Sequence, residues 1–183
     1  MRPSLHQIVA ALSLLGILGC GSAPTIPTVE TLDLKRFMGD WYVIANIPTV
    51  FEKNAFNAIE SYRLDSDGSI ETTVRFNKGG FDGPEKIYHS RAFVVDKDSN
   101  AHWGMQFVWP FKAEYRVIFL SEDYSRTIIG RSKRDYVWIM AREPSIPDAD
   151  YAKLLDLLKS YGYDTRLVQK VPQQIPDMTP ATG

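Results

Sequence analysis

The sequence is poor in the residues that build metal, redox and disulfide chemistry. One cysteine in 183 residues excludes an intrachain disulfide framework and any CxxC metal or redox site. Three histidines, His6, His89 and His102, are too few and too scattered for a metal cluster, and the expectation is no metal and no cofactor. Charge of either sign is not in excess: 21 basic against 22 acidic side chains give a formal charge of −1. Without a basic run, this argues against a nucleic-acid partner held by phosphate contacts. GxSxG and paired-carboxylate spacings are missing as well, so the expected catalytic set is empty. What the chain does have is aromatics. Nine Phe, nine Tyr and four Trp all fall between Phe37 and Tyr163, a heavy load for one small domain.

The cysteine lies outside that aromatic span. Arg2 precedes the eleven-residue apolar stretch Ile8 to Leu18, too short for a membrane span of about 20 residues but suited to a secretory signal. It ends Ile17-Leu18-Gly19-Cys20, which resembles the lipobox of bacterial lipoproteins. That resemblance implies cleavage after Gly19 and acyl chains on Cys20. Leu18 is bulkier than the usual residue there, and Gly21 in place of Asp implies the outer membrane. Residues 1–19 thus read as a signal peptide and 20–30 as a lipidated cysteine and tether. The Pro-rich stretch 171–183 reads as a disordered tail. One domain remains, about residues 31–170.

Inside it the apolar period is mostly two. Runs of β-formers cover Trp41–Ile47, Phe56–Leu64, Ser69–Asn77, Ile87–Val95, Trp103–Trp109, Glu114–Leu120, Arg126–Arg131 and Tyr136–Arg142. Turn clusters separate them, and short connections imply antiparallel neighbours. One helix follows, about 148–161, with Tyr151, Leu154, Leu155 and Leu158 on one stripe and Gly162 at its end. Tyr163 to Val168 reads as a short final strand. Eight such strands make a sandwich or a closed barrel, and only the barrel removes its edges. Trp103, Met105, Phe107 and Trp109 share one strand face; Tyr115 and Val117 share another, as do Tyr136, Trp138 and Met140. On pattern alone these rings fill a core as readily as they enclose a ligand.

At Gly39-Asp40-Trp41-Tyr42 the sequence resembles the GxW motif that opens the first strand of lipocalins. Asp123-Tyr124 resembles the second motif of that family, with Glu122 where Thr is usual, and Asp135 to Arg142 the third. Ile47 to Glu52 and Phe56 to Gly68 are further similar to the bacterial outer-membrane lipocalins and apolipoprotein D. The resemblance spans about residues 31–170. It implies an all-β fold: an eight-stranded antiparallel up-and-down barrel with one C-terminal α-helix packed outside. It also implies that Trp41 plugs the closed end beneath Arg142, a structural pair.

That anchor sets a register. Val43, Ala45 and Ile47 then line one wall, opposite Tyr136 and Trp138. Matching Tyr62 to the family's inward tyrosine brings Ala58, Glu60 and Leu64 inside with it. Glu60 is the odd residue, a carboxylate in an apolar barrel; either it is partly solvated or paired with Arg75, or it serves a ligand head group. The resemblance implies binding rather than catalysis, because the family's isomerase activity uses a barrel cysteine. The expected function is an outer-membrane lipocalin, facing the periplasm, that carries a fatty acid or lysophospholipid. The alternative is an envelope structural lipoprotein with a packed barrel. Homodimerisation stays open.

Overall fold

The computed structural model describes residues 24–174; the signal segment, Cys20 and the tail from residue 175 lie outside the described residues. A short helix α1 (Leu34–Phe37) starts the domain, capped by Asp33, whose Oδ1 accepts from Lys35 N at 2.9 Å and Arg36 N at 3.3 Å. Four residues carry no apolar period, so this turn was not readable in advance. Then come β1 (Gly39–Ile47), β2 (Ala55–Leu64), β3 (Ile70–Lys78), β4 (Glu85–Asp96), β5 (His102–Val108), β6 (Phe111–Leu120), β7 (Arg126–Gly130) and β8 (Val137–Ala141). Helix α2 (Asp148–Ser160) and a two-residue strand β9 (Gln169–Lys170) follow.

Every sequential pair of strands from β1 to β8 is antiparallel, and β1 also pairs β8, which closes the barrel. β1 is shared unequally. Its first half, Gly39 to Tyr42, bonds β2, whereas Ala45 and Asn46 bond β9 on that same edge. The C-terminal segment fills the resulting seam: Val171 N donates to Ile44 O (2.9 Å), and Gln173 Nε2 to Val43 O (2.8 Å) and Ala58 O (3.0 Å). The final strand is therefore at 169–170, not 163–168, where Thr165–Leu167 form a 3-10 turn instead. Residues 171–174, expected as part of a loose tail, satisfy barrel backbone groups that would otherwise lack partners. The tether reading needs a similar correction from Pro24 onward. Ile26 is fully buried against the outside of the sheet, and Val29 N bonds Val117 O at 3.0 Å.

Two apolar layers result. Trp41, Val43, Tyr62, Trp103, Met105, Tyr115 and Met140 belong to the interior. Ile44, Ile118, Ile128, Ile139 and Ala141 lie on the outer face, covered by Leu154 and Leu158 of α2. The segment just after the helix sits close enough that a Cβ on Gly130 would stand 2.7 Å from the Tyr163 hydroxyl. β1 runs away from the Trp41 end, so loops 48–54, 79–84, 109–110 and 131–136 gather at one end, the mouth. Turns 65–69, 97–101 and 121–125 gather at the other.

Candidate functional site

The floor of the barrel is built by the motif residues. The Arg142 guanidinium lies 3.8 Å from the Trp41 ring centroid, a cation–π contact. It also donates to the carbonyls of Asp40 (2.7 Å), Arg36 (3.0 Å), Phe37 (2.9 Å) and Met38 (2.9 Å). Gly39 takes φ +95°, and a Cβ there would sit 3.4 Å from Arg142 Nη1, so glycine permits both the turn and the close approach. Tyr124 accepts from Asp33 N at 3.0 Å and carries the Arg36 guanidinium over its ring at 3.9 Å. Asp123 Oδ1 accepts from Ser125 N at 3.0 Å. These five residues close one end.

Above the floor stands a column of rings. Phe37 lies 4.9 Å from Trp41 and 5.5 Å from both Tyr62 and Trp103. Trp103 stacks on Tyr115 at 5.6 Å, and Tyr115 reaches Trp138 at 6.0 Å. The column ends where solvent begins. Ile70, Ala92 and Met140, low in the barrel, are fully buried, as is Phe76 nearer the mouth, whereas the inward Val74, Ser90 and Trp138 are half-buried and Tyr88 is exposed. The interior is thus filled at the bottom, and toward the top much of its wall, Phe76 excepted, is partly exposed, in the manner of a cup.

One polar node sits at its base. Glu60 lies opposite Trp41 and Val74 in the sheet and is only 4% exposed. Tyr115 Oη donates to Glu60 Oε1 at 3.2 Å, and the Tyr62 and Tyr115 hydroxyls bond one another. Burial, reinforced by the charge of Glu52, pushes the Glu60 carboxyl up to about 8 against the pull of the two hydroxyls. It is therefore largely neutral at pH 7. Burial likewise raises Tyr62 and Tyr115, so both stay protonated. Arg75, considered as a partner for Glu60, stands opposite outward-facing Ile59 and pairs weakly with Asp40 at 3.6 Å.

Of the residues read as walls, Val43, Ala58, Glu60, Tyr62, Trp103, Met105, Tyr115, Val117, Trp138 and Met140 are placed inside together. Four are not. Ala45 and Ile47 belong to the outer layer under α2, because a bulge between Val43 and Ala45 reverses the alternation. Their place is taken by Asn46, buried and paired with Trp138. Phe107 and Trp109 stand 61% and 81% exposed at the mouth, after a second irregularity between Met105 and Val108. Tyr136 precedes β8 and lies at the rim, 6.4 Å from Trp138 and under Arg131 at 5.3 Å.

Other residues of the cup were missed. Thr72, Val74 and Phe76 of β3 and Tyr88 and Ser90 of β4 follow from Tyr62 by plain alternation across the paired strands, a signal present in the sequence. Glu52 was not legible. From the β1–β2 loop its carboxylate accepts from Trp138 Nε1 at 2.8 Å and from Thr49 N at 3.1 Å, a contact between residues 86 positions apart.

Comparison with known proteins agrees with this geometry. Residues 32–173 match the family model described as a lipocalin-like domain. The chain belongs to the lipocalin family. The outer membrane lipoprotein Blc of Escherichia coli is 30% identical over 87% of this chain and 92% of its own. Mouse apolipoprotein D is 31% identical over 79% and 78%. Among solved structures, insecticyanin from the tobacco hornworm superimposes with a TM-score of 0.64 at 16% identity, over 82% of this lipocalin and 86% of that chain. That likeness concerns the fold alone.

Proposed function

We propose that this lipocalin is held at the outer membrane by acyl chains on Cys20 and binds one acyl-chain lipid in the cup. A fatty acid or a lysophospholipid is the ligand class. The observation that carries the reading is the gradient inside the barrel, from wholly buried Met140 and Trp103 to accessible Trp138 and Tyr88. Relatives named outer membrane lipoprotein in three bacterial species, including one covered over 96% of its length, support the location. Several acyl chains give lasting attachment where one does not.

The energetics suit a carrier. About 15 methylenes at about 0.8 kcal/mol each give roughly 12 kcal/mol. Association costs of about 4 kcal/mol, the low end of their range, leave affinity near micromolar. The neutral Glu60 offers a proton to a ligand oxygen without repelling a fatty-acid carboxylate, and the Tyr62 and Tyr115 hydroxyls extend that node. The chemistry is reversible burial, not catalysis.

Titrating delipidated protein with a fluorescent fatty acid and with a lysophospholipid tests this. Saturable binding with a change in Trp138 emission is expected, and Trp138→Ala should weaken it about tenfold, or about 1.4 kcal/mol. Absence of saturable binding with either lipid would leave a packed structural barrel as the better reading.

A further inference from the structure

The mouth carries apolar side chains that the cup does not use. Val50 and Phe51 on the β1–β2 loop are 71% and 66% exposed; Val108, Trp109 and Phe111 at the β5–β6 turn are 68%, 81% and 76% exposed. Phe81 on the β3–β4 loop adds a third hairpin to the set. Among the described residues, only Val95 and Leu167 of the exposed large hydrophobics lie away from this end. Phe51 meets Tyr88 at 5.8 Å and Phe81 meets Phe56 at 5.1 Å, so the β1–β2 and β3–β4 loops pack their rings onto the strands of the mouth, and the β5–β6 turn presents its apolar side chains at the same end. Lys78 Nζ, bonded to Lys53 O at 2.6 Å and Phe51 O at 3.3 Å, props the first loop outward. An apolar surface of this kind marks an interaction site; Trp is enriched at bilayer interfaces, and Phe accompanies it on the membrane-buried faces of interfacial segments.

The course of the N-terminal segment says what covers it. Leu32 N bonds Ser99 O at the closed end (2.8 Å), Val29 N bonds Val117 O midway, and Arg134 of the mouth loop 131–136 donates to Pro24 O. The segment thus enters from the mouth and runs down the barrel. Cys20 lies four residues before Pro24, within about 14 Å at full extension. A membrane-held Cys20 brings the mouth, and not the closed end, to the surface.

We propose that the three apolar hairpins at the mouth dock into the interfacial layer of a lipid bilayer, so that the cup opens onto the membrane. Its orientation rests on the Cys20 anchor proposed above; the apolar surface itself does not. A ligand acyl chain then passes between bilayer and cup without crossing bulk water.

The test adds full-length protein to phosphatidylethanolamine–phosphatidylglycerol vesicles carrying brominated acyl chains, with unbrominated vesicles as reference. Docking predicts a loss of tryptophan emission in the brominated vesicles that Trp109→Phe removes. Val108→Asp with Phe111→Asp should abolish the quenching while leaving lysophospholipid titration in vesicle-free solution unchanged. Quenching without any ligand binding would support docking and sink the carrier reading. No quenching of the wild type would overturn docking whatever the titration shows. So would a dimer by sedimentation that the same double variant dissociates, because the surface would then belong to a second copy.

Discussion

The two ends of the barrel are made of opposite materials. The closed-end turns are held by aspartates: Asp67 accepts from Ser69 N (2.9 Å), Asp96 from Asp98 N (3.0 Å) and Asp123 from Ser121 Oγ (2.6 Å) and Ser125 N (3.0 Å). Beneath those turns Arg142 ties four carbonyls over a buried tryptophan. At the mouth the turns present Phe51, Trp109 and Phe111 to the outside, and the inward Val74, Ser90, Trp138 and Tyr88 are only partly covered. One end spends its polar groups on rigidity; the other leaves apolar groups unpartnered. The tryptophans of one small protein thus divide by position into a plug, a wall and an exposed surface residue.

Substitution can break this contrast. Trp41→Ala should have the largest effect, about 3–5 kcal/mol by urea denaturation, since it empties the floor and strands the Arg142 contact. Glu60 titrates near 8 in the fold against 4.5 when unfolded, so the folded state holds its proton longer. Stability should therefore fall as pH rises from 4.5 to 8, by on the order of a few kcal/mol, and Glu60→Gln should flatten that slope. Asp123 has the reverse sign. Hydrogen bonds from Ser121 and Ser125 lower it from 3.8 to about 2, so its contribution holds above 3.8 and fades as pH falls toward 2; Asp123→Asn should remove that acid-side loss.

Gln173→Ala should cost about 1 kcal/mol in thermal or urea melts, because it leaves two seam carbonyls short of a donor. Trp109→Ala should change stability by less than about 0.5 kcal/mol, as expected of an exposed site. A large destabilisation there would mean that the mouth is structural after all.

Legibility in the sequence followed the range of the determining contact. Strand alternation and turn clusters gave the strands; the resemblance to lipocalins implied the barrel, the Trp41–Arg142 pair and an inward Tyr62, from which period two placed Glu60 inside. Ala45, Ile47, Phe107 and Trp109 failed because a bulge shifts alternation by one residue, and a bulge leaves no mark on apolar period. The C-terminal seam and the Glu52–Trp138 bond were hidden for another reason. They join loop or terminal residues to strands distant in sequence, where no local pattern points to the partner.

If the cup, and not the outer surface, holds one acyl lipid, native mass spectrometry of protein purified from host membranes should reveal it, comparing wild type with Trp138→Ala and Trp109→Ala. Each wild-type molecule should carry one acyl-chain lipid, diminished in Trp138→Ala and retained in Trp109→Ala. Wild-type protein free of such a lipid, or occupancy that follows Trp109 instead of Trp138, would contradict binding in the cup.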